Sequence, residues 1–301
     1  MMMRHKRATL SSGYLKQLAM VAVAASVAGI PLQANGIFDF PDFSSTTGLT
    51  FVGSAGQAGN QLQITPDGGG QSGAAYSTAA VALGSGDTFS TTFQFQYTGQ
   101  GGIDPADGIT FVMAASPTGL GASGGGMGYG GVGNSVAIEF DSYENGGNDY
   151  NSNHVSIDED GNIGEDASLV SPYGVGACDF YSGYQKTGCF SNGDVWSVTA
   201  SYDGTNLSLS IWDQIGTYAQ ASPFTVYTSL PLNVAADLGT NTAYVGFTGG
   251  TGSGYEQQNI LNWSFANDTS LGTPEPSTWL LFGTAGIGLM TFRIRRGKGA
   301  C

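Results

Sequence analysis

The chain has 301 residues, of which 49 are glycine and 11% are charged. Eight of its nine basic residues lie before residue 17 or after residue 292, so the segment 35–276 combines one lysine, Lys186, with all 23 acidic residues. This segment therefore carries a net charge of about −22. Such a surface repels phosphate backbones, which excludes nucleic acid as a partner.

Residues 1–34 have the layout of a secretory signal peptide. A basic stretch precedes the apolar run Leu18–Ile30, and the small residue Ala34 closes the segment. The apolar run is too short to span a bilayer comfortably, as is typical of signal peptides. The sequence therefore predicts an exported protein.

The region 36–270 is predicted to be one all-β domain. Short runs rich in Val, Ile, Thr, Phe and Tyr alternate apolar and polar residues and are separated by Gly, Asn, Asp and Ser. Such runs are Asp87–Tyr97, Gly108–Ala115, Ser135–Tyr143 and several after residue 153. Between the two chain ends, no window has the 3.6-residue apolar stripe of a helix, and no fixed repeat indicates a propeller. These patterns favour a jelly-roll β-sandwich.

The stretch Ala137–Asp158 carries the residues with the most distinctive chemistry. Glu139 and Asp141 alternate along a strand, so their carboxylates point to the same face, about 6.6 Å apart. Two acids on a buried face repel each other and are costly to desolvate unless a cation lies between them. Asn145 and Asp149 follow in a loop, and His154 begins the next strand.

The candidate ligands of this hairpin form two sets, one that includes an imidazole nitrogen and one of oxygen atoms alone, and each set suits a different metal ion. A site with one imidazole and three carboxylates suits a transition ion such as Mn²⁺; its ligands are Glu139, Asp141, Asp149 and His154. A site with oxygen ligands alone suits Ca²⁺; its ligands are Asp141, the Tyr143 carbonyl, the Asn145 amide oxygen and Asp149. Asp141 and Asp149 are expected to bridge the two ions.

Two cysteines, Cys178 and Cys189, stand eleven residues apart in a glycine-rich loop. In an exported protein they are expected to form a disulfide. A two-cysteine metal site is the alternative, but no further Cys or His lies near them in the sequence.

The order Glu-x-Asp-x-Tyr-x-Asn, then Asp, then His five residues later resembles the metal-binding hairpin of legume-type (L-type) lectins. The resemblance extends over about residues 37–267. It includes FDFPDFSS near the start, PADGITFVMA around Asp107, and the closing Trp-Ser-Phe at residues 263–265. It implies a jelly-roll sandwich of the legume lectin type that binds carbohydrate with the help of Ca²⁺ and Mn²⁺.

The resemblance also implies a sugar site. Asp107 matches the aspartate that accepts hydrogen bonds from two sugar hydroxyls, and the Ala106–Asp107 peptide bond is expected to be cis. Asn145 is expected to bind Ca²⁺ through its oxygen and to donate its amide N–H to the sugar, while Tyr143 packs against the pyranose. The remaining expected contacts come from glycine-rich loops: the backbone N–H of Gly126, and Ser253 and Gly254 at the positions that select the sugar.

The C-terminal segment 273–301 resembles a PEP-CTERM sorting signal. Thr-Pro-Glu-Pro-Ser precedes the apolar run Trp279–Phe292, and three arginines follow. The apolar run with its basic flank is expected to enter the membrane transiently as a helix. The resemblance implies processing by an exosortase-type enzyme and a final location in the envelope, or outside the cell, of a Gram-negative bacterium.

Two other functions remain open. Glu139 and Glu144 also fit the Glu-x-Asp-x-x-Glu pattern of laminarinase-like glycoside hydrolases, in which they would be the nucleophile and the acid/base. That hypothesis assigns no role to Asp107, Asp149 or His154. The third possibility is a structural envelope or biofilm protein that has kept the lectin fold and lost the sugar site. The lectin hypothesis, without enzymatic activity, is the one that uses all of these residues.

Overall fold

The computed structural model describes residues 36–146, 149, 151–164 and 168–267. Over these residues the predicted all-β fold is confirmed. The strands are β1 Gly36–Phe40, β2 Leu49–Gly53, β3 Gly56–Ala58, β4 Gln61–Thr65, β5 Ser72–Ser77, β6 Val81–Ala82, β7 Phe89–Gly102, β8 Gly108–Ala114, β9 Ser135–Asp141, β10 His154–Glu159, β11 Val195–Tyr202, β12 Asn206–Ile215, β13 Phe224–Pro231, β14 Thr242–Gly250 and β15 Gly254–Asn267.

Three 3-10 turns and one α-helix complete the described structure. The 3-10 turns are Gly124–Gly126, Pro172–Gly174 and Phe190–Asn192, and the helix, α1, is Val234–Leu238. The sequence did not predict α1, because five residues are too few to show a helical apolar stripe. Within these described ranges, no helix has the length and apolar character needed to cross a membrane. The predicted signal peptide and sorting segment lie outside the described residues.

The strands form two antiparallel sheets. One follows the order β13-β12-β11-β7-β15-β4-β3, with β1 also pairing with β15. The other follows the order β10-β9-β8-β14-β5-β2, with β6 also pairing with β14. Non-consecutive neighbours such as β7 and β15 show that the sheets are assembled by long crossovers, as in a jelly roll.

Aromatic side chains fill the space between the two sheets. On β7 the alternation is visible in the burial, since Phe93 and Phe95 are inside whereas Gln94 lies on the outer face. The ring of Phe93 meets Phe140 of β9 at a centroid distance of 5.8 Å and Phe247 of β14 at 4.9 Å. Edge-to-face contacts of this kind join the sheets through rings.

Strand β9 is buried on both faces, and this determines where the site lies. Ile138 and Phe140 belong to the aromatic core. By the period of two, Glu139 and Asp141 point away from that core, to the outer face of their sheet. They are nevertheless 0% exposed, so that face is covered at this point.

Candidate metal and carbohydrate site

The β9–β10 hairpin brings three candidate metal ligands together. His154 pairs with Asp141, and Ser156 pairs with Glu139 in the antiparallel register. One ligand atom each from Glu139, Asp141 and His154 lies within 4.8 Å of the others. Cross-strand neighbours on one face approach to such distances, so the local register alone accounts for the cluster.

Each of these three side chains has one satisfied atom and one unsatisfied atom. Ser156 Oγ donates to Glu139 Oε2, and the Tyr143 N–H donates to Asp141 Oδ1 at 2.6 Å. His154 Nδ1 lies 2.8 Å from the Asn151 carbonyl oxygen. Glu139 Oε1, Asp141 Oδ2 and His154 Nε2 are buried without a hydrogen-bond partner in the described part of the chain.

These unsatisfied atoms have the character of metal ligands. A carbonyl only accepts, so Nδ1 of His154 donates to Asn151, and this leaves Nε2, next to the two carboxyl groups, as the ring nitrogen that can bind a metal ion. Burial raises the pKa of Glu139, and burial together with the charge of Glu139 raises the pKa of Asp141 well above its ordinary value. A divalent cation would remove the electrostatic cost that these raised pKa values reflect.

Asp149 and Asn145 lie beside this cluster. Asp149 is not one of the three residues within 4.8 Å of one another, but its charge contributes to the raised pKa of both Glu139 and Asp141. Its Oδ2 accepts a hydrogen bond of 2.6 Å from the Asn145 N–H. The contact joins the Asn145 backbone to Asp149 in the segment that follows β9.

Asp107 lies at the junction of this cluster with the neighbouring strand β8. The expectation of a cis peptide bond between Ala106 and Asp107 is confirmed. The Asp107 carbonyl accepts from the Ser142 N–H at 2.9 Å, and the Asn145 side-chain amide donates to Asp107 Oδ1 at 3.3 Å. Oδ2 has no partner among the described residues, and burial raises the pKa of this carboxyl to about 6. Asp107 is thus a buried acceptor with one free oxygen.

The glycine-rich loop approaches Asn145 through Gly125. A Cβ on Gly125 would lie 2.4 Å from Asn145 Cγ, so any other residue there would displace the Asn145 side chain. Gly126, the residue predicted from the sequence, donates its N–H to the Ser123 carbonyl at 3.3 Å. The geometry therefore favours Gly125 as the glycine that faces the site.

The loop between β14 and β15 closes the other side of Asp107. Ser253 is exposed, whereas Gly254 is buried against the Asp104 carbonyl and the Ala106 side chain. Gly252, which the sequence did not single out, lies nearer: a Cβ there would be 3.4 Å from Asp107 Oδ2. Only the long-range packing of this loop reveals Gly252, since its local sequence offers no signal.

Tyr143 follows β9 and is half-buried. The residue before it, Ser142, donates its N–H to the Asp107 carbonyl, which brings Tyr143 next to Asp107 along the chain. Burial and the charges of Asp104 and Asp107 raise the pKa of the Tyr143 phenol. Tyr143, Asp107 and Asn145 thus border one region, which we call the Asp107 site.

Sequence reasoning missed one fully buried acid behind the Asp107 site. Glu256 of β15 accepts hydrogen bonds from Ser142 Oγ at 2.6 Å and from Ser191 Oγ at 2.7 Å. Burial raises its pKa to about 8, with a smaller contribution from the charge of Asp107. Two glutamines, Gln257 and Gln258, follow it on β15, so this part of the strand looks solvent-facing in the sequence. The residues 190–192 that cover it come from a distant loop.

Replacing Glu256 by glutamine should remove a pH dependence of stability. The pKa of Glu256 is near 4.3 in the unfolded chain and about 8 in the folded chain, so the folded state binds the extra proton between these values. The free energy of unfolding should therefore fall as pH rises through this window, by up to roughly 5 kcal/mol from this group. We expect Glu256→Gln to be more stable than the wild type at pH about 8.5, by chemical denaturation, and similar to it near pH 4.5.

The exposed residue Glu144 provides the control for this measurement. Glu144→Gln removes an equivalent carboxyl from a solvated position and should leave the pH profile of the wild type unchanged. Parallel profiles for Glu256→Gln and the wild type would contradict the buried, protonated state of Glu256.

The predicted disulfide between Cys178 and Cys189 is confirmed, with a Cα–Cα distance of 5.7 Å. Both cysteines are buried. The loop that they close is held to the β9–β10 connection, because the Cys178 N–H donates to Ser152 Oγ at 2.9 Å.

The arrangement offers little to the hydrolase hypothesis. Strand β9 ends at Asp141, so Glu144 lies in the following loop and is exposed. Glu139 is 0% exposed and faces His154 and Ser156. The nucleophile and the acid/base of a glycosidase flank one scissile bond, whereas here one carboxyl is enclosed among strand residues and the other lies in solvent.

Comparison with known proteins identifies the fold and the tail. A family model described as the legume lectin domain matches residues 35–280, and one described as the PEP-CTERM protein-sorting motif matches residues 273–296. A lectin of Leucomphalos mildbraedii is 31% identical over 251 residues, which cover 76% of this chain and 94% of that protein.

Solved structures agree with the family match. A Bauhinia forficata lectin in complex with GalNAc is 24% identical, with a TM-score of 0.62, over 78% of this chain and 98% of that one. Peanut lectin is 25% identical, with a TM-score of 0.62, over 77% of this chain and 98% of peanut lectin. These relatives are lectins, which are carbohydrate-binding proteins rather than enzymes. The chain is a member of the legume lectin family that carries a PEP-CTERM sorting motif at its C-terminal end.

Proposed function

We propose that this protein is an exported lectin that binds extracellular or cell-surface polysaccharide and depends on Ca²⁺ and a transition ion such as Mn²⁺. One observation carries the proposal. Three buried ligand atoms without partners, from Glu139, Asp141 and His154, converge beside Asp107, whose own Oδ2 is also unpartnered. A chain that used this region only for packing would gain nothing from leaving four polar atoms unsatisfied.

The residues present fit both ions. The imidazole of His154 with the carboxylates of Glu139, Asp141 and Asp149 suits Mn²⁺. Asp141, Asp149, the Asn145 side-chain oxygen and the Tyr143 carbonyl suit Ca²⁺. When bound, the ions supply positive charge that offsets the mutual repulsion of these acids.

The chain's own residues then account for sugar binding. Asp107 accepts hydrogen bonds from sugar hydroxyls through its free Oδ2, and the charge on the carboxylate strengthens them. The Asn145 amide, which lies next to Asp107, and the Gly125 N–H donate to the sugar, and Tyr143 packs against the apolar face of the ring. Ser253 and Gly254, together with Gly252, border the site where the sugar is selected.

Export and sorting complete the proposal. Residues 1–34 are the signal peptide, residues 36–270 the lectin domain and residues 273–301 the sorting segment. The match to the PEP-CTERM motif supports processing by an exosortase-type enzyme, with the apolar tail in the membrane only until cleavage. The protein then resides in the envelope or outside a Gram-negative cell.

A glycan array read with and without a chelator tests the proposed function. We expect the protein supplied with Ca²⁺ and Mn²⁺ to bind a subset of glycans, to lose them in EDTA and to release no reducing sugar. Binding that is unaffected by EDTA would contradict the metal dependence. A folded, metal-loaded protein that binds no glycan would favour a structural role in the envelope.

A further inference from the structure

Exposed hydrophobic side chains gather beside the Asp107 site. Large apolar residues exposed by more than 40% in the described structure are few, and three of them surround Asp104: Ile103 at 57%, Phe180 at 44% and Tyr181 at 101%. Phe180 and Tyr181 come from the loop closed by the Cys178–Cys189 disulfide. Apolar groups concentrated at one place on a highly acidic surface mark an interaction site rather than scattered exposure.

Asp104 connects this loop to the Asp107 site. Its Oδ1 accepts a hydrogen bond of 2.6 Å from the Phe180 N–H, and its carbonyl accepts one of 3.2 Å from the Tyr255 N–H. The neighbouring Ile103 N–H donates to the Ser253 carbonyl at 3.3 Å. Asp107 is three residues further along the chain, and three residues span at most about 11 Å. The aromatic loop is therefore continuous with the rim of the Asp107 site.

The loop that carries the exposed aromatics is tied by several internal bonds. The disulfide closes it, and Lys186 Nζ donates to the carbonyls of Ala177 at 2.8 Å and Ser182 at 3.4 Å. The Asn153 amide donates to the Gly188 carbonyl at 2.9 Å. Phe180 also packs against Tyr184 at a centroid distance of 5.4 Å. Tyr181 is thus exposed on a loop whose backbone is fixed by a disulfide and several hydrogen bonds.

We propose that Tyr181 and Phe180 form a second saccharide subsite, on which a further sugar residue of a glycan chain packs while another residue occupies the Asp107 site. The inference rests on the proposed function and specifies its ligand as an oligosaccharide or polysaccharide. Rigid tyrosine rings offer a large contact area at low entropic cost, and pyranose rings present apolar C–H faces to them. The net charge of about −22 on segment 35–276 would repel an anionic membrane surface from this subsite. A neutral glycan would not be repelled.

Chain-length dependence of binding tests the subsite. The probes are the array monosaccharide that binds best and its linear oligosaccharides of increasing length, titrated against the full-length protein with Ca²⁺ and Mn²⁺. The wild type should bind the oligosaccharides more tightly than the monosaccharide. Tyr181→Ala should lose about two- to tenfold in affinity for the oligosaccharides and nothing for the monosaccharide, because a well-packed aromatic contact contributes roughly 0.5–1.5 kcal/mol.

Two further variants separate the possible failures. Tyr181→Phe keeps the ring and should bind every probe as the wild type does. Asp107→Asn should lose all probes. If Asp107→Asn loses binding but Tyr181→Ala matches the wild type at every chain length, or weakens the monosaccharide equally, the subsite is wrong and the Asp107 site stands. If Asp107→Asn binds normally, or the wild type binds no glycan, both proposals fail.

Discussion

Replacing Asp107 by asparagine is expected to abolish glycan binding while leaving metal binding intact. The carboxylate is 2% exposed and has one oxygen without a partner in the described structure. Asparagine keeps the size but places an amide N–H₂ at one of the two acceptor positions, so a sugar hydroxyl loses its acceptor and meets a donor. Hydrogen bonds to charged groups contribute roughly 1.5–3 kcal/mol each. Asparagine loses one such bond and removes the charge from the other acceptor, so affinity should fall about 100-fold.

The outcome is read in two assays on the same protein. Isothermal titration with Ca²⁺ and Mn²⁺ should give wild-type stoichiometry, and titration with a glycan identified on the array should give no measurable heat. Glu144→Gln removes a carboxyl from the same end of the sheet at an exposed position and should bind both ligands normally. If Asp107→Asn lost its metals as well, Asp107 would have to be assigned to the metal centre.

The parts of the site that sequence predicts well are those formed within one hairpin. The period of two along β9 and the pairing with β10 bring Glu139, Asp141 and His154 together over sixteen residues, so their spacing carries the three-dimensional information. The same holds for Cys178 and Cys189, whose loop closes locally. The cis bond before Asp107 was expected from family resemblance alone, since no local propensity favours it.

The parts that sequence does not predict depend on contacts between distant segments. Glu256 is buried because residues near Ser191 cover it, and nothing in its own strand signals this. Gly125 is the glycine that approaches Asn145, but it stands between two other glycines, so the sequence does not show which of the three faces the site. The link between Asp104 and Phe180 joins residues 76 apart. Short-range patterns cannot report such pairs.

Replacing Asp141 by asparagine should remove the metal response and glycan binding together, without destabilising the metal-free protein. In the absence of metal, burial and the charge of Glu139 raise the pKa of Asp141 and make its ionised form costly. Asparagine relieves that cost and still accepts the hydrogen bond from the Tyr143 N–H. In EDTA the variant should therefore unfold at the wild-type temperature or above it.

With excess Ca²⁺ and Mn²⁺ the order of stability should reverse. A ligand at about 100 times its Kd stabilises the folded state by about 2.7 kcal/mol, which raises the Tm of a domain of this size by roughly 5–10 °C. The wild type and Glu144→Gln should show this shift in differential scanning calorimetry, whereas Asp141→Asn should show little of it. An acid that serves only as a packing residue would produce the same Tm difference with and without metal. A variant that is at least as stable as the wild type in EDTA but less stable with metal therefore identifies Asp141 as a metal ligand. The buried charge of such a residue is tolerated because a cation neutralises it.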